Sequence, residues 1–252
     1  MHILPLKCKI MAEKQDIAMN QFQIVNEVSY VYGETANGSQ GKLRLSIMDS
    51  LNEGAFVMFH RNSDNNPLMV KPNKWASYQN SGEIAEGVVV VEGGKILVVA
   101  PTEATTTLAW SSAAVNGGGK TTTDRLVAFD DWAGKANTAA QITKNECKSV
   151  SYAPGYCAAY SRVNANGKGL TAGRWWLPSL GELMMIYANM TKINYALSLI
   201  EGATQLVETA YWSSTEYSAT NAWYLTLSDG NAYGRAKATG EYRVRPVSAF
   251  IV

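Results

Sequence analysis

The spacing of apolar and polar positions changes along the chain, and each change marks an element. Residues 25–32 and 42–48 read as strands around a polar turn from Gly33 to Gly41, and residues 55–60 as a further short strand. Asn62 to Asn66, ahead of Pro67, is loop chemistry. Val88-Val89-Val90-Val91 and Ile96-Leu97-Val98-Val99 flank Glu92-Gly93-Gly94-Lys95, a hairpin whose paired glycines supply the positive φ of its turn.

Helical spacing follows. Thr138 with Gln141 is a capping-box signature opening a helix to about Cys147. Pro154 suits a first helical turn, and Tyr156, Ala159, Tyr160 and Val163 recur on one face. Ser179 and Glu182 form a second capping box before Leu183, Met184, Ile186 and Tyr187; Ile193, Ala196, Leu197 and Ile200 make a further stripe. From Tyr211 the pattern alternates. Trp223, Leu225 and Leu227 share one face of a strand, Tyr224, Thr226 and Ser228 the other. Asp229-Gly230 predicts a hairpin, with a return strand from about Asn231 to Lys237 and a last strand over 242–251.

Composition narrows the class. The 252 residues are 46% hydrophobic and 17% charged with a net charge of +1, which excludes disorder and a nucleic-acid binder acting by bulk charge. The longest apolar run, 87–100, is broken by Glu92, Gly93, Gly94 and Lys95, so no membrane insertion is expected. Met1 to Lys7 does not read as a secretory signal, and Met11-Ala12-Glu13-Lys14 resembles an alternative start, so synthesis in a cytoplasm is expected. Cys8, Cys147 and Cys157 are an odd count without a CxxC pair; Cys147 and Cys157 read as buried thiols. Seven Trp and 13 Tyr beside 21 Gly fit either a recognition surface or an aromatic core rich in turns.

Reactive constellations are thin. Ala114-Val115-Asn116-Gly117-Gly118-Gly119-Lys120-Thr121 imitates a phosphate-binding loop, but Thr121-Thr122-Thr123 is a poor start for the helix such a loop needs. The expectation there is a glycine-rich surface loop. Asp130, Asp131 and Glu182 form no supported acid–base pair, and His2 and His60 complete no triad. His60 reads as structural.

One set of motifs is distinctive: Gly173-Arg174-Trp175-Trp176-Leu177-Pro178-Ser179-Leu180-Gly181-Glu182-Leu183, then Tyr211-Trp212-Ser213-Ser214-Thr215-Glu216-Tyr217, Ala222-Trp223-Tyr224 and Val244-Arg245-Pro246-Val247. In this order they resemble the C-type lectin-like domains of variable proteins diversified by retroelements, found in phage fibres and bacterial adhesins and related to the formylglycine-generating-enzyme fold. The resemblance covers residues 84–252. It implies an α+β fold, C-type lectin-like, with two main helices beside a small twisted antiparallel sheet. A smaller β-rich N-terminal module, 1–83, would serve attachment or oligomerisation. Trp175, Trp176, Trp212 and Trp223 would be scaffold.

In diversified relatives, randomised adenines of Asn codons yield Tyr, Ser, Ala, Thr, Gly, Arg, Asp, Leu or Asn, never Lys, Glu, Gln, Met or Trp. The resemblance therefore implies a ligand-binding set of Tyr217, Ser218, Thr220, Tyr224, Thr226, Ser228, Asp229, Asn231, Tyr233, Gly234, Arg235, Ala236, Ala238, Thr239, Gly240 and Tyr242. Glu216, Lys237 and Glu241 would be fixed. Tyr217, Tyr224, Tyr233, Arg235 and Tyr242 would act as anchors among small neighbours.

The calcium-binding Glu-Pro-Asn and Trp-Asn-Asp elements of sugar-binding lectins are missing; Lys71-Pro72-Asn73 lies outside the domain. No Cys follows Cys157, against oxidase chemistry. The expectation is a non-enzymatic binding protein with no cofactor and no metal. Its partner would be a host or cell-surface protein or glycan, not nucleic acid. Its setting would be a phage tail, as a receptor-binding protein in the virion, with homo-oligomer or virion assembly through residues 1–83. The alternatives are a bacterial surface adhesin and, from another class, a fold-related enzyme.

Overall fold

The computed structural model describes residues 30–34, 40–44 and 53–250. The chain forms two units, Met1–Leu51 and Asn52–Val252. In the first, β1 (Tyr30–Glu34) pairs antiparallel with β2 (Gln40–Arg44), Tyr30 opposite Arg44 and Glu34 opposite Gln40. The rest of the two expected N-terminal strands, residues 35–39 of their turn, and Cys8 lie outside the described residues.

The second unit runs through β3 (Gly54–His60), β4 (Pro67–Val70), α1 (Trp75–Asn80), β5 (Gly87–Glu92), β6 (Lys95–Val99) and β7 (Leu108–Ala109). Then come α2 (Arg125–Phe129), α3 (Gly134–Gln141), α4 (Ala153–Ala159), β8 (Arg162–Val163), β9 (Gly169–Leu170), α5 (Leu180–Ala188) and α6 (Met190–Ser198). It closes with β10 (Ala210–Glu216), β11 (Asn221–Thr226), β12 (Ala232–Ala236), β13 (Glu241–Tyr242) and β14 (Val247–Ser248).

The larger sheet is antiparallel in the order β14-β6-β5-β3-β4. The β5–β6 hairpin turns through Gly93 and Gly94, both at positive φ, as the sequence predicts. β5 is buried on both faces, which is why it reads as an uninterrupted valine run. A domain boundary at residue 84 would cut this sheet. β3 pairs with β5 from Gly54 opposite Val91 to Met58 opposite Gly87, and Val57, Phe59, Val88 and Val90 share one core. The compact units instead divide at Leu51/Asn52.

Helix boundaries show which local signals prevail. Ser179 and Glu182 do form a capping box on α5, with the Ser179 amide donating to Glu182 at 2.8 Å. Thr138 does not cap: α3 begins at Gly134, and Thr138 Oγ1 sits mid-helix, accepting from the Leu177 amide at 3.0 Å. Cys147 lies beyond that helix. Pro154 occupies the first turn of α4, which ends before Tyr160 and leaves Val163 in β8. The expected last strand is split: β13 pairs with β7, and β14 pairs with β6 across Pro246, which has no amide to donate. The Ala100 amide donates to the Pro246 carbonyl at 3.0 Å, and Val247 stands opposite Val99.

Two apolar clusters result. One joins the large sheet, α5, α6, Trp176, Trp223 and Leu225; the other gathers Trp110, Cys147, Cys157, Leu177, Trp212 and Val244. Among the described residues no helix is long and apolar enough to cross a membrane.

Candidate functional site

The smaller sheet, β10-β11-β12, separates these clusters. Tyr224 stands opposite Trp212 on one side and Tyr233 on the other, so all three project from one face. Trp223, Leu225 and Ala232 project from the opposite face into the larger core. The alternation read from the sequence is the one observed.

Trp212 is fully buried and donates its Nε1 to the Leu108 carbonyl at 2.8 Å. Tyr242 leans on it with ring centroids 4.7 Å apart, Tyr224 on Tyr242 at 4.4 Å, and Tyr233 on Tyr224 at 5.9 Å. The stack becomes more exposed outward. Tyr224 and Tyr242 are half-buried, Tyr233 is 52% exposed and Arg235 is exposed. Partial burial, then the hydrogen bond with Tyr242, pushes the Tyr224 hydroxyl up to about 12, so Tyr224 stays neutral near pH 7. Arg235 is then the cation of an aromatic strip.

The strip has two ends. At one, Thr226 is half-buried and Ser228 and Asp229 are exposed on a turn. That turn is longer than the expected two-residue hairpin: Thr226 N donates to Asn231 O at 2.9 Å and Gly230 N to Thr226 O at 2.8 Å. The Asn231 amide and side chain both donate to Asp229 and hold its carboxyl below the usual range. At the other end, Thr220 and Thr239 are exposed, and Ser218, Ala236 and Ala238 half-buried.

Three expected residues stand apart. Tyr217 and Gly234 face the opposite side of the sheet, where Tyr217 packs on Trp223 at 4.9 Å within the larger core. Ordinary alternation is the cause: Tyr217 follows Glu216, which keeps the parity of Trp212 through the register shift, and Gly234 lies between Tyr233 and Arg235 in β12. Gly240 is buried, with Arg235 Cγ and the Trp212 ring filling the space a side chain would need.

Beneath the Arg235 end lies a pairing the sequence did not predict. Glu216 and Lys237, both fully buried, form an ion pair. Glu216 also accepts from the amides of Gly117 at 2.8 Å and Gly119 at 2.9 Å. The glycine-rich loop thus cradles an anion, but an internal one. Its glycines are needed, since a β-carbon at Gly117 would come within 2.8 Å of Glu216 and Trp110. The only sequence signal for the pair was that both residues fall outside the permitted codon set.

Other charged groups are occupied in holding the fold. Glu103 accepts from the Tyr211 hydroxyl at 3.0 Å and forms ion pairs with Arg245, at 3.0 Å, and with Arg243. Asp131 accepts from Thr215 at 2.7 Å and Asn137 at 2.8 Å. Burial pushes Glu182 up to about 7, with the neighbouring Asp131 charge adding to it. Glu86 accepts from the His60 ring and amide, each at 2.8 Å, and from Leu170 at 3.0 Å, a structural setting for that histidine. Cys147 and Cys157 are free and buried, and burial pushes both thiols up.

Residues 101–248, which carry this sheet and its tryptophan support, match the Lcl C-terminal domain. The chain belongs to the Lcl C-terminal domain family. That membership supports the family resemblance drawn from the tryptophan motifs. The Lcl C-terminal domain here begins where β6 ends and closes at β14. The mixed fold of antiparallel sheets and few helices is similar to the crystal structure of a fimbrial protein from Bacteroides ovatus ATCC 8483, with a TM-score of 0.51 and 16% identity. The match covers 85% of this chain and 56% of that one, so the chain spans little more than half its neighbour's length. No curated protein matches the sequence.

Proposed function

We propose that this chain is a non-enzymatic recognition protein whose Lcl C-terminal domain binds an external target through the face carrying Tyr224, Tyr233, Arg235 and Tyr242. One observation carries the reading: a graded aromatic stack, anchored on buried Trp212, ends in exposed Tyr233 beside exposed Arg235. Tyr and Arg are residues on which binding energy concentrates, and a rigid sheet loses little entropy on association. The carboxylates Asp131, Glu182, Glu216, Glu103 and Glu86 are engaged in internal hydrogen bonds, which supports binding over acid–base catalysis.

The target class is a protein or glycan on a cell surface. Of the two settings expected from the sequence, phage tail and bacterial surface, the fold shared with a fimbrial protein supports the second. Residues 1–51 would attach the chain or join copies of it. Diversification by a retroelement is the finer reading; it requires a neighbouring reverse transcriptase gene and a template repeat differing from this gene at adenines.

The test is binding of the labelled chain to a panel of intact bacterial cells and to a glycan array, beside the variant Y233A/R235A. The expected result is at least about a tenfold loss of affinity in a variant that stays folded. Binding that survives the double substitution, or a chain that binds neither probe set, overturns the proposal.

A further inference from the structure

Lys237 Nζ lies within hydrogen-bond distance of three carbonyl oxygens besides its carboxylate partner: Val115 at 2.7 Å, Ser218 at 3.1 Å and Ala219 at 3.1 Å. It also lies over the Trp110 ring at 4.5 Å. Glu216 in turn is held by the amides of Gly117 and Gly119. Two chain segments are therefore gripped from below, the glycine-rich loop and the β10–β11 loop. The latter carries Ser218, Ala219 and exposed Thr220 beside Arg235. Every one of these grips falls on a main-chain atom.

A main-chain carbonyl is present whatever side chain its residue carries, so such a grip does not read sequence. The geometry points to Glu216 and Lys237 as a positioning pair that fixes the path of residues 218–220 independently of their side chains, making them exchangeable specificity positions. The inference rests on the reading that this loop borders the recognition face. The pair is itself fully buried and hydrogen-bonded on several sides, a condition under which a buried charge pair can specify one conformation. One local contact works in parallel: Ser218 Oγ accepts from the amides of Thr220 at 3.2 Å and Asn221 at 3.1 Å, so removing that hydroxyl is the most demanding test.

The experiment introduces S218A, A219Y and T220W singly into the natural chain and into an E216Q/K237M background, which removes both charges together. Thermal unfolding of each is recorded. In the natural chain each change is expected to shift Tm by less than about 2 °C, S218A included although its hydroxyl accepts from two amides, because the pair holds the same segment. In the neutralised background each is expected to lower Tm by about 4 °C or more. Equal shifts in the two backgrounds, or shifts above about 4 °C in the natural chain, overturn the inference. If E216Q/K237M does not fold, the natural-chain series decides alone by the same limits. No target enters this measurement, so failure of the proposed binding function would leave its result unchanged.

Discussion

The Tyr217 ring occupies the place of the side chain that Gly234 lacks. A β-carbon on Gly234 would sit 2.6 Å from Tyr217 Cγ. The tyrosine is thereby pinned between β12 and Trp223, on the side of the sheet away from the recognition face. A residue that looked like a contact for a target is instead a clasp between two strands.

Gly234→Ala is expected to destabilise the chain by about 1–3 kcal/mol, because the ring must move. In a double-mutant cycle with Tyr217→Ala, measured by urea denaturation, the two changes should couple, Gly234→Ala costing much less once the ring is gone. Additive effects would remove the clasp.

Trp223 is 3% exposed and donates its Nε1 to the Thr122 carbonyl at 2.8 Å. Trp223→Ala should cost about 3–5 kcal/mol. Tyr233→Ala and Arg235→Ala, on exposed positions of the other face, should each stay within about 1 kcal/mol. Denaturant midpoints at constant m-value read the difference. Similar losses from all three would erase the distinction between scaffold and surface.

Lys237→Met leaves the Glu216 carboxylate buried without its cation, at an expected cost of about 3–5 kcal/mol. Glu216→Gln with Lys237→Met should recover a large part of that loss. A double variant less stable than the Lys237→Met single variant would contradict this account.

Glu182 has a folded-state value of about 7 against an ordinary 4.5, raised by burial and by Asp131. The native chain therefore binds this proton more tightly than the unfolded chain. The stabilising contribution is whole below about pH 4.5 and is lost as pH rises toward 7, a change of up to roughly 3 kcal/mol. Stability measured across this window in Glu182→Gln should lack that downward slope. An unchanged slope would mean that other groups set it.

Much of the architecture was legible locally. Ser179 and Glu182 capped a helix because both partners of that motif lie within one turn, and the alternation around Trp223 assigned its faces because sheet side chains obey a strict parity. The same parity turns Tyr217 away from Trp212, but codon compatibility, which placed it in the binding set, is blind to the face a residue takes. Thr138 carried a capping signature but was claimed by Leu177 from across the core. Glu216 and Lys237 were singled out by codon logic, yet their pairing depends on how β11 brings the two flanking strands together. The division at Leu51/Asn52 rather than at residue 84 has a similar origin: β3 and β4 precede residue 84 and join the large sheet only through the pairing of β3 with β5, which is distant in sequence.

The hydrogen bond from Ala100 to Pro246 and the pairing of β14 with β6 place the first and last residues of the family segment side by side. Such a segment behaves as a cassette plugged into a sheet through adjacent sockets. Exchange of that cassette between related genes would have to keep both the β14–β6 junction and the packing of α6 on β3 and β5, which lie outside it.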